Sequence, residues 1–159
     1  MTGKILAADF AARLNSERDA LKSLVVLLEA EQQALIDGRT EQLLDLSDRK
    51  IQAVQEVSRL ADMRKNDLLA HSAEIKAGGI VSWLKSHAAG SLPVWQDIQQ
   101  LVERMQHLNR NNGSLIQTKL RLNQQALRVL HNAASSAEGL YGADGQQQFS
   151  SSGRILGSV

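Results

Sequence analysis

The spacing of apolar residues near the start of the chain constrains the fold most strongly. Six of them recur at alternating intervals of four and three residues, with two positions of the repeat skipped: Phe10, Leu14, Leu21, Leu24, Leu28 and Leu35. This repeat places all six on one face of an α-helix that packs against other helices. Glu17 and Glu31 occupy the two skipped positions of this seam. Gly38 is predicted to end the helix, because glycine is common at helix C-termini. The first long helix is therefore predicted over residues 6–37.

Three more helices are predicted from the rest of the chain. A second long helix is expected over residues 40–76, with Thr40 as its N-cap and Gly78-Gly79 just after its end. A short helix is expected over residues 80–87. A third long helix is expected over residues 92–134, because Pro93 suits a first helical turn. Trp83 and Trp95 are expected to cap one end of the core.

Asn112 lies within this last helix at a position of its apolar seam, directly before Gly113. An asparagine-glycine pair is typical of a turn, but apolar periodicity continues on both sides and favours an uninterrupted helix. In that case Asn112 is a structural residue that fixes the register of the packed helices.

The predicted fold is all-α. It is an elongated antiparallel bundle of three long helices and one short helix in residues 1–138, followed by a flexible C-terminal tail in residues 139–159. The composition agrees, because 43% of the residues are hydrophobic, only 3% are aromatic, and there is one proline. The tail is mostly polar and cannot bury enough apolar surface to fold alone.

The sequence contains no signature of catalysis, a cofactor or a metal site. It has no cysteine, and its four histidines are too far apart for an HExxH motif: His71, His87, His107 and His131. Glycine-rich phosphate-binding motifs are absent. Charged residues in the first two helices, such as Arg13 with Glu17 and Arg64 with Asp62, have the spacing of solvated faces. We therefore expect a protein that is not an enzyme.

Charge and hydropathy bear on partners and location. The net charge of +1 argues against nucleic-acid binding through bulk charge. Between Glu103 and Glu138 there is no acidic residue, and this stretch is either a solvated helix face or a weak docking face for an acidic partner; its cations are Arg104, Arg110, Lys119, Arg121 and Arg128. No signal peptide is visible and no apolar run could span a membrane. A cytoplasmic protein is expected.

Several segments resemble those of a known family. The best match is the asparagine-rich stretch at residues 109–116, followed by the tyrosine-and-glycine turn at residues 141–145. Segments 29–38, 44–50 and 64–69 resemble the end of the family's first helix and parts of its second. Together they cover nearly the whole chain, which is similar to the FlgN family of flagellar export chaperones.

The resemblance implies a function. Members of this family bind the helical terminal segments of hook-associated proteins, prevent their premature assembly in the cytoplasm, and deliver them to the flagellar type III export apparatus. The expected partners are therefore hook-associated proteins and components of the export gate and its ATPase. The resemblance assigns Tyr141, the only tyrosine, to docking at the export gate.

A chaperone of this kind must hold an amphipathic helix, for which a wide apolar stripe is suited. We expect the last helix to supply this surface through five residues: Leu115, Ile116, Leu120, Leu127 and Leu130. The tail is expected to cover the surface when no substrate is bound. The main alternative is a generic coiled-coil adaptor with unrelated partners. A phosphotransfer module and a nucleic-acid binder are weaker alternatives.

Overall fold

The computed structural model describes residues 7–140, and these form four α-helices. They are α1 (Ala7–Asp37), α2 (Leu43–Leu69), α3 (Ser72–His87) and α4 (Leu92–Leu140), with short 3-10 turns at Thr40–Gln42 and Ala89–Ser91. The all-α prediction is confirmed, since this part of the chain contains no strand. The chain divides into two units, Met1–Ile116 and Gln117–Val159.

The seam of α1 is the core of the first unit. All six predicted apolar seam residues are buried, and so are Glu17 and Glu31 at the two skipped positions. The helix ends as predicted at Gly38, which has a φ of +71°. The N–H of Arg39 donates to the carbonyl of Ala34 at 2.9 Å, and the N–H of Gly38 donates to the carbonyl of Leu35 at 3.4 Å. This pair of bonds is a Schellman cap, which a left-handed residue makes possible.

Ion pairs show that α1 and α2 form an antiparallel hairpin. Arg64 donates to Glu17 through Nε at 2.8 Å and through Nη2 at 3.1 Å. Nearer the connecting turn, Lys50 donates to Glu31 at 2.6 Å. The interpretation of these charges as solvated faces is therefore wrong for the two glutamates, whose side chains are 3% and 8% exposed. Packing of α2 against the acid-bearing seam of α1 buries them.

The end of the second helix differs from the prediction. α2 ends at Leu69 and α3 already begins at Ser72, so the range 40–76 is not a single helix, whereas residues 80–87 form the part of α3 that follows Gly79. Thr40 lies in a 3-10 turn and is not the N-cap of α2. Gly79, with φ 78° and ψ 165°, does break the helical path, but as a kink inside α3.

Aromatic side chains pack together at the early turn between α2 and α3. The ring of His71, in this turn, lies 4.9 Å from the ring of Trp83, and Trp83 stacks on His87 at 5.2 Å. Trp83 also meets Phe10 of α1 edge to face at 5.4 Å. Trp83 is buried in the core cluster that contains Phe10, and Trp95 packs against the same cluster, as expected for residues that close the core.

Helix α4 is continuous from Leu92 to Leu140. The Asn112-Gly113 pair therefore lies inside a helix, as the apolar periodicity predicted, and is not a turn. Pro93 is the second residue of α4 and lies in its first turn. The helix ends six residues beyond Ala134, its predicted end.

Candidate partner-binding surface

The described part of the second unit is a helix whose apolar residues are largely exposed. Leu120, Leu127 and Leu130 are 56%, 65% and 66% exposed. Leu122 and Val129 are 53% and 66% exposed. With 3.6 residues per turn, all five fall on one half of the helix. The other half is polar and contains, among others, Gln117, Arg121, Gln124 and Arg128.

Three of the five predicted surface residues, Leu120, Leu127 and Leu130, belong to this exposed half. Leu115 and Ile116 are the last residues of the first unit, where Leu115 is half-buried and Ile116 is 39% exposed. Tyr141 and the rest of the predicted tail beyond Leu140 lie outside the described residues.

Two exposed apolar residues of the second unit, Leu122 and Val129, were missed by the sequence analysis. The signal for them was the same four-three spacing that identified the seam of α4. Continued beyond Leu115, that spacing gives the positions Lys119, Leu122, Ala126, Val129 and Ala133. The apolar half of the second unit is therefore wider than the predicted stripe, and Lys119 lies within it.

Asn112 joins α4 to α1 inside the first unit. Its side-chain nitrogen donates to the backbone carbonyl of Leu28 at 2.9 Å and to Oε2 of Glu31 at 2.8 Å. Asn112 is 1% exposed. Because Glu31 also accepts from Lys50, one polar layer links three helices.

A second polar layer lies nearer the opposite end of α1. Arg64 of α2 pairs with Glu17 of α1, and its guanidinium carbon lies 5.0 Å from the centroid of the Trp95 ring on α4. In both polar layers, a carboxylate at a seam position of α1 pairs with a cation from α2. Burial of an unpaired carboxylate would be strongly unfavourable.

A cleft lies between α1 and α4 in the first unit. It is an open space of about 1040 Å³ whose lining includes His107. Its charged lining consists of the acids Asp97 and Glu103 and the cations Lys22, Arg104 and Arg110, and Arg104 is paired with Glu29. Among residues 7–140, no group of three or more acidic or histidine side chains could hold a metal ion. In the same part of the chain, no helix is long and apolar enough to cross a membrane.

An apolar groove of about 300 Å³ also opens in the first unit. Its lining combines residues of α1, α2 and α4, among them Leu24, Leu28, Val54, Val57 and Met105. Part of its apolar lining is already buried, with Leu24 1% and Leu28 2% exposed, whereas the apolar residues of the exposed half of the second unit are 53–66% exposed. The latter is therefore the stronger candidate for binding another helix.

The fold and this surface define a class: an all-α protein with a packed helical core and an amphipathic helix exposed along its apolar half. The family model described as FlgN protein matches residues 1–148. The chain therefore belongs to the FlgN family.

Curated relatives agree with this assignment. The chain is 29% identical over 142 residues to the flagella synthesis protein FlgN of Salmonella typhimurium (strain LT2), covering 88% of this chain and 91% of the relative. The protein of the same name from Salmonella typhi matches equally well. That of Proteus mirabilis is 39% identical over 55 residues, or 35% of this chain and 36% of the relative. No solved structure matches the chain. Family and names together support a role in flagellar assembly.

Proposed function

We propose that this protein is a flagellar type III export chaperone. It binds the helical terminal segments of hook-associated proteins in the cytoplasm, keeps them from assembling too early, and delivers them to the export apparatus. Membership of the FlgN family and the names of its relatives support the flagellar context. The observation that carries the binding step is the exposed apolar half of the second unit.

Exposed leucines at helical spacing are suited to reversible binding of a helix. Leu120, Leu127 and Leu130 are each more than half exposed, so each has apolar surface left to bury. Burying a leucine side chain fully contributes about 1.5–3 kcal/mol, which makes a few such residues sufficient to anchor a partner. Ordering the partner segment offsets part of this free energy. The resulting moderate affinity suits a chaperone that must also release its substrate.

Delivery is a separate step with its own residue. The family resemblance assigns docking at the export gate to Tyr141, which is 11 residues beyond Leu130 in the sequence. We place substrate binding on the apolar half of the second unit and gate docking on Tyr141. Leu115 and Ile116 of the first unit are proposed as further substrate contacts, to be tested as separate positions.

The test is a calorimetric titration with the C-terminal segment of a hook-associated protein from the same organism. We expect stoichiometric binding by the unaltered chain. Leu120→Ala and Leu127→Ala should each weaken it roughly tenfold, since truncating a well-packed anchor costs more than 1 kcal/mol. Gln124→Ala is the matched control, because Gln124 lies on the polar half of the same helix.

Equal effects of the leucine and glutamine substitutions would place the binding surface elsewhere. Absence of binding to any hook-associated segment would overturn the chaperone proposal. A coiled-coil adaptor with other partners would then be the better description.

A further inference from the structure

Lys119 is a charged residue within the apolar half of the second unit. It lies seven residues after Asn112, hence on the same side of the helix, and three residues before Leu122. Lys119 is half-buried, whereas Leu120 and Leu122 beside it are more than half exposed. A helix that covers Leu122 and Leu130 would therefore cover Lys119 as well.

No carboxylate of its own helix neutralises Lys119. The residues one turn before it are Leu115 and Ile116, and those one turn after it are Leu122 and Asn123. The nearest acidic residues of α4 are Glu103 and Glu138, at least sixteen residues away. Burying the ammonium group under an apolar partner surface would be costly unless the partner supplied an opposite charge.

The first unit shows how this protein resolves that problem within its own packed helices. Glu17 and Glu31 are seam positions of α1, and each accepts from a cation on α2, Arg64 or Lys50. In α4, the seam residue one heptad before Lys119 is Asn112, whose side chain donates to Glu31. Each of these polar seam residues thus faces a side chain of a neighbouring helix that has the opposite charge or the complementary hydrogen-bonding group.

We propose that the apolar half of the second unit binds an amphipathic helix that carries a glutamate or aspartate within its own apolar seam, opposite Lys119. The inference rests on the proposed function, because it assumes that the occupant is a substrate helix. It adds the chemistry by which that helix is recognised. Apolar contacts alone would let a leucine-rich helix slide by a heptad, whereas a single charge pair fixes its position.

The test uses three synthetic helical peptides that share one leucine-and-alanine seam. Their central seam position is glutamate, glutamine or lysine, and each is titrated at a concentration where it is monomeric. The unaltered chain should bind the glutamate peptide roughly tenfold more tightly than the lysine peptide, with the glutamine peptide between them. Lys119→Glu should reverse this order.

Arg121→Glu and Arg128→Glu are the matched controls. They make the same change of charge on the polar half of the helix, so the preference for the glutamate peptide should remain. Circular dichroism of each variant verifies that the helices are intact. A change of preference in these controls equal to that of Lys119→Glu would mean that net charge, and not position, determines the affinity, and would overturn the inference.

Three other results would also overturn it: equal affinity for the three peptides, an unchanged order in Lys119→Glu, or no binding of any peptide. A dimer, detected by sedimentation, whose formation blocks peptide binding would show instead that a second copy covers the surface.

Failure of the inference about Lys119 is distinguishable from failure of the proposed function. If the chain binds a hook-associated segment tightly but does not distinguish the three peptides, only the role proposed for Lys119 is wrong. If the chain distinguishes the peptides but does not bind that segment, only the assignment of hook-associated proteins as substrates is wrong.

Discussion

The side-chain nitrogen of Asn112 lies 2.8 Å from Oε2 of Glu31, which joins the seams of α4 and α1 at a buried position. Asn112→Leu should lower the free energy of unfolding by roughly 1–3 kcal/mol, because Glu31 and the carbonyl of Leu28 both lose a donor. Urea denaturation measures the loss.

The double variant Asn112→Leu with Glu31→Leu is the informative control. Replacing a buried polar group together with its partner by apolar residues is often neutral or stabilising. Lys50, whose side chain is 25% exposed, can then turn to solvent. The double variant should therefore be more stable than the single one, and a further loss of stability would contradict the role given to this bond.

Arg64 should matter far more to stability than the exposed Lys65 of the same helix. Arg64→Met leaves the carboxylate of Glu17, 3% exposed, without its cation, and should cost about 3–5 kcal/mol in the free energy of unfolding. Lys65→Met is the matched control, because Lys65 and its partner Asp62 are both more than two-thirds exposed. Chemical denaturation of the two variants should differ clearly, and similar midpoints would refute the assignment.

Two glycines should respond to alanine in opposite directions. Gly113 lies within α4 with nothing inside 4 Å of an added Cβ, so Gly113→Ala should stabilise the protein by about 0.5–1 kcal/mol. Gly38 has a φ of +71°, where a Cβ is strained, and Gly38→Ala should destabilise it by about 1–2 kcal/mol. Thermal unfolding measures the direction of both stability changes. A destabilised Gly113→Ala variant would indicate that this glycine has a role beyond the helix itself.

Tyr141 should separate delivery from substrate binding. Tyr141→Ala is expected to abolish capture of the chain by the cytoplasmic part of the export gate, because an aromatic anchor is lost. Affinity for the hook-associated segment should stay the same. Tyr141→Phe, which keeps the ring, should retain most of the capture. Loss of substrate affinity in Tyr141→Ala would instead make Tyr141 part of the substrate surface.

Much of the fold could be predicted because it depends on local patterns. The seam of α1, the glycine cap at Gly38 and the continuity of α4 through Asn112 all follow from spacing along a single helix. The start of α3 at Ser72 could not be predicted in this way. No proline or glycine marks the turn at residues 70–71, which instead accompanies packing of His71 on Trp83, twelve residues further along the chain.

The pairing of charges in the polar layers could not be predicted from the sequence either. Glu17 and Glu31 could be recognised as seam positions, but their partners are 47 and 19 residues away. Which cation faces which carboxylate depends on the register of α1 against α2, and this register is a tertiary property. In the partner-binding surface, Leu122 and Val129 were predictable in principle, because they continue the spacing already used for α4.

The hairpin's ion pairs have an evolutionary consequence. Glu17 and Glu31 are fourteen residues apart, and so are Lys50 and Arg64, so both pairs form in the same antiparallel register. Replacing Arg64 or Lys50 with an uncharged residue leaves the buried carboxylate of its partner unpaired unless the partner changes too. Across related chains, positions 17 and 64 should therefore be replaced together, as should positions 31 and 50. Insertions should accumulate in the turn between α1 and α2, where they leave both pairs in place.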